Sequence, residues 1–307
     1  MIRYLTHIEI DKAKWNHCID NAGNKLIYAY STYLDAMAEQ WDAIVMGDYE
    51  IVMPLPWRKK FGIKYLYQPA FVQQLGLFSD QAIDNTIVEA FLELAYSKFQ
   101  FAEINLNYQQ SEFNFDKKFI VSKKNNFISI VSSSAAVSLF ESDSYLRKRL
   151  NKASRNDMNY LNEESIHSSL LLYQNLYQKK IKSLTDFDLN KFNELCKKLQ
   201  CENKIIIRKV ISKNNYELLA LALLLNDGQR MYNIISCITP TGKKLLANYF
   251  LYNEILKEHL VEELIFDFEG SDLPGVADFY KKISTQNQQY ISVKWNRLPK
   301  IIRLIKK

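Results

Sequence analysis

The sequence predicts an α/β (α+β) protein of two units, each a mixed, mostly antiparallel sheet flanked by helices. Three observations lead there. Short runs of alternating apolar and polar residues come in groups joined by tight turns, as in antiparallel meanders. Each group is followed by a loop, a helix and one further strand, an order that makes the flanking strands parallel neighbours. That order occurs twice, with Phe71–Asn107 as the counterpart of Ile234–Glu269. Identity between the halves is slight, so the repeat is one of pattern.

The bulk numbers fit this reading. A chain of 307 residues holds one large core or two ordinary ones, and two is the better expectation. With 48% apolar and 13% aromatic residues, it has the composition of a folded globular protein rather than a disordered one. The net charge of +6 is too mild to imply nucleic-acid binding by itself. Cys18, Cys196, Cys201 and Cys237 lack the spacing and neighbouring histidines of a zinc site, so no metal is expected and the thiols read as reduced. The N-terminus has no long apolar stretch, and no run reaches the ~18 apolar residues of a membrane span. The expectation is a cytoplasmic protein.

In the first half, residues 11–22 and 31–40 read as short helices. Trp41–Met46 and Glu50–Leu55 alternate as strands around Gly47-Asp48, a hairpin signal, and Pro54 and Pro56 are expected to end the pairing. Arg58-Lys59-Lys60-Phe61-Gly62 makes a basic turn before a strand at Ile63–Tyr67. A helix from about Asp80 and the strand Phe101–Asn107 follow, and Asn126–Val131 reads as the last strand of this half. Ser132–Ala136, small and polar, is the candidate linker, which sets the predicted domains at 1–135 and 136–307.

The second half opens with a basic helix from Ser144 to about Asn162. Two more helices cover roughly 168–182 and Thr185–Leu199. Lys204–Ile211, Glu217–Leu225 and Arg230–Ile238 form a meander with Asp227-Gly228 in its second turn. Thr239-Pro-Thr-Gly-Lys243 turns the chain into a helix from about Lys244 to His259, with Leu246, Tyr249, Phe250, Asn253, Leu256 and Leu260 at helical spacing. Leu264–Gly270 is the parallel strand. Ser271 and Asp272 can cap a final helix striped by Val276, Phe279, Tyr280 and Ile283, with Pro274 in its first turn. A strand at Gln289–Trp295 and a basic tail close the chain.

This last stretch carries the candidate chemistry. Free backbone N–H groups where the crossover helix opens favour an anion, typically a phosphate. Ile238, Thr239, Thr241, Gly242, Lys243 and Lys244 are therefore the candidate anion-binding residues. Glu269 leaves the second strand at the same end and can serve as a base; a surface carboxylate or a helix cap is the alternative. Ser271 stands beside it, as a cap or a substrate contact. Lys148, Lys152 and Arg155, at i, i+4 and i+7, make one basic helix stripe for a donor's phosphates or an RNA backbone, unless they form a solvated charged face.

Leu246-Ala-Asn-Tyr-Phe-Leu-Tyr-Asn-Glu-Ile255, Phe266-Asp-Phe-Glu-Gly270 and Gly275-Val-Ala-Asp-Phe-Tyr-Lys-Lys282 resemble segments of the tandem-GNAT acyltransferase-like group, which includes the Fem peptidyltransferases. The helix Tyr145-Leu-Arg-Lys-Arg-Leu-Asn-Lys-Ala-Ser-Arg155 is similar to the Lys/Arg-rich helix that opens the second GNAT unit there. The resemblance implies two GNAT-like units, the first degenerate and the second carrying the donor cleft. It implies N-acyl transfer from an acyl-CoA thioester to an amine, on a small molecule or a cell-envelope precursor. Tyr280 falls where that group places its general-acid tyrosine; an ordinary core tyrosine is the alternative. A Fem-like transferase using aminoacyl-tRNA, or an inactive tandem-GNAT binding module, are the other implied functions. Acyl-CoA loops of the GNAT type carry Arg/Gln-x-x-Gly-x-Gly/Ala, whereas Thr239–Lys243 has one glycine. The transferase reading requires the strands at Arg230 and Leu264 to diverge and leave a wedge for the donor arm, with no bulky rings plugging the gap.

Overall fold

A computed structural model describes residues 1–113, 115–131, 140–177, 184–259, 264–270 and 274–299. The chain begins with β1 (Ile2–Leu5), α1 (Lys12–Asn21), α2 (Ser31–Met37), β2 (Gln40–Met46), β3 (Ile51–Lys60) and β4 (Ile63–Leu66). It continues through β5 (Phe78–Ser79), α3 (Asn85–Lys98), β6 (Phe101–Asn105) and β7 (Ile120–Lys124). Next come β8 (Phe127–Val131), α4 (Ser144–Ser154), β9 (Met158–Asn162), α5 (Ile166–Tyr177), α6 (Asp186–Cys201), β10 (Ile205–Ser212) and β11 (Leu218–Asn226). The remainder is β12 (Arg230–Ile238), α7 (Pro240–Lys244), α8 (Ala247–Glu258), β13 (Leu264–Asp267), α9 (Pro274–Ile283), β14 (Gln286–Asn287) and β15 (Tyr290–Asn296).

One sheet runs β1-β2-β3-β4-β6-β15-β7, with β5 on β3, and the other runs β14-β8-β13-β12-β11-β10-β9. Aligned, they share one plan. Four antiparallel strands lead to a single parallel junction, β4 with β6 or β12 with β13, and antiparallel strands complete the sheet. The duplicated pattern expected from sequence is thus present in the strand orders.

The allotment of strands differs from the expectation. β8, read as the end of the first half, pairs with β13 in the second sheet, and β15, read as part of the second half, pairs with β6 and β7 in the first. The compact units are accordingly Met1–Lys124 with Gln289–Lys307, and Asn125–Gln288, in place of 1–135 and 136–307. An alternating strand fits either sheet by its pattern, and adjacency in sequence favoured the wrong one. The proposed linker Ser132–Ala136 lies outside the described residues.

Three local differences have physical causes. The basic helix stops at Ser154, and Met158–Asn162, expected to continue it, alternates as edge strand β9 against β10. β3 runs straight through Pro54 and Pro56, which pair with Ala43 and Trp41 of β2. On the other side, β5 reaches only Ile51 and Val52, and β4 begins at Trp57, so the missing proline N–H groups face an unladdered stretch. Thr239–Lys243, expected as a turn, holds most of a short helix, α7, and the expected helix from Lys244 begins only at Ala247, because Leu246 takes the left-handed conformation (φ +59°) between α7 and α8.

Each unit has its own core. In the first, Phe91, Leu92 and Ala95 of α3 pack on Met53, Leu55, Ile104, Val293 and Trp295 of the sheet. In the second, Tyr249, Tyr252, Ile255 and Leu256 of α8 and Tyr280 and Ile283 of α9 cover Met231, Leu224, Phe266 and Phe268. The α6 N-terminus is closed by a capping box between Thr185 and Asp188.

Candidate functional site

The second unit's parallel junction is short. β12 pairs with β13 only as Arg230–Ile265, Met231–Phe266 and Tyr232–Asp267. Past that point β13's chain stays with β8, Phe268 N–H donating to Phe127 O at 2.9 Å, while β12 continues to Ile238 along β11. Backbone pairing of β12 with β13 therefore ends at Tyr232, and the rings of Tyr252, Phe268 and Tyr280 pack at that end.

A bulge lies at the same place. Leu223 faces Ile235 and Leu225 faces Tyr232, so Asn233 and Ile234 stand opposite Leu224 alone. An inserted residue re-aims the side chains beyond it. Here Asn233 and Ser236, three apart, both reach Tyr252 of α8: Asn233 Nδ2 donates to its hydroxyl at 2.8 Å, and that hydroxyl donates to Ser236 Oγ at 2.8 Å. Asn233 Nδ2 also donates to Tyr280 Oη at 3.1 Å, and its Oδ1 is buried with no hydrogen-bond partner. Burial raises the pKa of both phenols, so they stay protonated. Tyr252, Phe268 and Tyr280 pack their rings at 5.3–6.1 Å between centroids. Tyr280 thus sits in the core and also offers its hydroxyl to a polar cluster beside the parting strands.

Glu269 follows at the end of β13 in the left-handed conformation, φ +63°. Its N–H donates to Asp267 Oδ1 at 2.9 Å, a side-chain turn that holds this unfavourable backbone in place. Desolvation pushes its carboxyl up to about 8. Asp267 is buried against Arg230, whose Nη1 donates to Oδ2 at 2.5 Å. Asn126 Nδ2 donates to the same oxygen at 3.0 Å, and Gln288 Oε1 accepts from both Arg230 Nη atoms at 3.0 Å. Sequence reading placed Asp267 on a strand without a partner and gave Arg230 no role. Two opposite charges inside apolar strand runs were the available signal, since buried charges pair.

The turn from β12 into α7 is closed on itself. Thr239 caps α7: its Oγ1 accepts from Gly242 N–H at 3.0 Å, and Lys243 N–H donates to its carbonyl at 2.9 Å. Pro240 has no N–H to offer, and Ile238 N–H donates to Tyr177 Oη at 3.3 Å. A Cβ on Gly242 would lie 2.0 Å from Leu219 O. The glycine is explained by close packing of α7 on β11. Thr241 is half-buried, while Lys243 and Lys244 point to solvent.

The α4 stripe is exposed as expected. Leu146 and Ala153 face the core, and Arg147, Lys148, Lys152 and Arg155 face outward. None of these four cations, nor Lys243 or Lys244, pairs with a carboxylate of the described residues. Asn156 Nδ2 donates to Leu245 O at 3.0 Å, which brings the basic end of α4 beside Lys243 and Lys244. Lys282 of α9 lies over the Tyr145 ring at 4.8 Å, with Arg149 over it at 5.0 Å. Ser271 lies outside the described residues. Among the described residues, no group of three or more His, Cys, Asp or Glu side chains could hold a metal ion, and no helix is long and apolar enough to cross a membrane.

Two sheets of one plan, each with a single parallel junction beside a crossover helix, make a tandem-GNAT fold. The chain is similar to FemX over 99% of both chains, with TM-score 0.62 and 12% identity. It is also similar to the C-terminal domain of a putative lysylphosphatidylglycerol synthetase from Agrobacterium fabrum, over 96% of this chain and 94% of that one (TM-score 0.57, 11% identity). A tandem GNAT protein from the clavulanic acid biosynthesis pathway matches over 97% and 99% (TM-score 0.53, 7% identity). At such identities the likeness is one of fold. No protein-family model and no curated protein matches the chain.

Proposed function

We propose that the second unit transfers an acyl group from an activated ester or thioester to an amine, with the reacting carbonyl in the wedge between β12 and β13. The observation that carries this is the place of Glu269, two residues past the last pair of the β12–β13 ladder, with its carboxyl pushed up to about 8 by desolvation. An alkyl ammonium of pKa ~10.4 must lose a proton for its nitrogen to form the new C–N bond. A base whose pKa lies near the working pH is suited to take it. Glu269 receives that proton, and the protonated phenol of Tyr280 supplies one to the departing oxygen or sulfur as the old acyl bond breaks.

Two donors fit different features. The exposed, unpaired cations of α4 and α7 favour a long polyanion such as aminoacyl-tRNA. The parting strands favour the slender arm of an acyl-CoA, although Thr239 already occupies the Gly242 N–H that would face its diphosphate. The Fem-like fold supports a small-molecule or cell-envelope-precursor amine as acceptor.

The deciding experiment measures binding of charged tRNA across a salt series, beside thermal shifts with coenzyme A, acetyl-CoA and longer acyl-CoAs. A tRNA affinity falling steeply with salt, and a slope reduced by up to about three when Lys148, Lys152 and Arg155 become serine, supports the polyanion donor. A thioester at 100 times its Kd should stabilise the fold by ~2.7 kcal/mol. No response to either donor class, together with unchanged activity in Glu269→Gln, overturns the transferase reading and leaves a binding module.

A further inference from the structure

The first unit carries a feature that acyl transfer does not use. β3 and β4 join through a two-residue turn: Lys60 pairs with Ile63, and Phe61 and Gly62 have φ of +51° and +78°. Positive φ at both central positions is the type I′ pattern, which favours Asn-Gly, Asp-Gly or Gly-Gly. A bulky side chain there is a conformational outlier. Phe61 is also 77% exposed, so the fold gains no core contact in return for the strain.

The stem behind it is cationic. Lys59 and Lys64 stand directly opposite each other in the ladder, a like-charge pairing that disfavours the hairpin. Lys59, Lys60 and Lys64 are exposed, and none pairs with a carboxylate of the described residues. Lys60 and Lys64 lie only over aromatic faces, Phe61 at 5.5 Å and Trp57 at 4.0 Å. Arg58, by contrast, is held by Glu39 at 3.3 Å and by the Tyr67 ring at 4.0 Å. Strain, exposure and like-charge opposition together mark a surface shaped for something outside the chain.

We infer that this hairpin docks on an anionic lipid bilayer, with Phe61 inserted at the acyl boundary and Lys59, Lys60 and Lys64 among the phosphates. The spacing fits. Two residues of strand set the Lys59 and Lys64 tier roughly 7 Å behind the tip, comparable to the ~5–10 Å between headgroups and acyl boundary. A lone ring at the point of a two-residue turn suits insertion. Nucleic-acid surfaces instead array several rings on which bases stack in succession.

The test is co-sedimentation of the full chain with vesicles of phosphatidylcholine alone and of phosphatidylcholine mixed with phosphatidylglycerol, at low and raised salt. Two variants accompany it, Phe61→Asn and Lys59→Ser/Lys60→Ser/Lys64→Ser. Asparagine suits the turn, so Phe61→Asn should keep or raise the Tm and isolate the lipid contact. Binding is expected only to the anionic vesicles and should weaken with salt. Phe61→Asn should reduce it about 10-fold or more, and each lost lysine about 5-fold. Absence of binding to anionic vesicles, equal binding to both vesicle types, or full affinity in both variants overturns the inference. So does binding to an RNA oligonucleotide that is lost in the lysine variant while vesicles stay unbound.

Discussion

Arg230 and Asp267, neighbours across the parallel junction, form an ion pair at 2.5 Å with 3% and 1% of their side chains exposed. The groups that bind the pair matter as much as the pair itself. Asn126 and Gln288 bind it from the two places where the chain passes between sheets, and the Glu269 N–H takes the remaining Asp267 oxygen. One network therefore fixes the end of the parallel ladder, both crossings and the backbone of the candidate base.

Removing one partner leaves the other charge buried and uncompensated. Arg230→Met or Asp267→Asn should each cost about 3–5 kcal/mol in chemical denaturation. The double variant should cost less than the sum of the two, because neither stranded charge remains.

Glu269 ties stability to pH with a definite sign. Its folded pKa of about 8 lies above the ordinary 4.5, so the fold holds the proton more tightly than the unfolded chain does. Its stabilising contribution is complete below pH 4.5 and is lost as pH rises through about 8. Glu269→Gln should flatten the Tm-versus-pH curve across that window. Activity has the opposite trend: it should rise through about pH 8 as the carboxylate form fills, and Glu269→Gln should lower it ~100- to 10,000-fold.

Gly242→Ala separates packing from ligand binding. A Cβ 2.0 Å from the Leu219 carbonyl forces α7 off β11, and about 1–3 kcal/mol should be lost without any ligand present. A stability unchanged in urea titration, with donor binding abolished, would show the glycine to be a phosphate contact instead.

Glu258 works the other way from Glu269. Hydrogen bonds from Arg208 and from Tyr160, at 2.5 Å for the latter, hold its carboxyl down at about 2. The stability it gives is present above pH 4.5 and disappears as pH falls through about 2. Glu258→Gln should unfold at a higher pH than the parent in an acid titration followed by circular dichroism, since α8 loses its clamp to β9 and β10.

Much of this architecture was legible. Apolar runs and turn residues located β10, β11 and β12 to within a residue, because runs of strand length bounded by turn residues such as Asp227-Gly228 stand out in sequence. The parallel junction followed from the helix between β12 and β13. Phe127–Val131 could not be allotted, since an alternating strand carries no label for its sheet. Pro54 and Pro56 misled because the rule against proline applies to hydrogen-bonded edges, and only tertiary structure shows which edge is free. In the site, Glu269 was visible as an acid before a glycine. The Asn233–Ser236–Tyr252 cluster was not, because it depends on a bulge that shifts the side-chain period by one residue.

The exchange of β8 and β15 has a consequence for biosynthesis. Among the described residues β6 and β7 are bridged by β15, which the ribosome makes some 165 residues after β7. The first sheet must wait, gapped, while the whole of the second unit is synthesised, and its exposed seam is then a natural landing place for chaperones. A chain cut short inside the second unit would leave both halves of this protein unfinished.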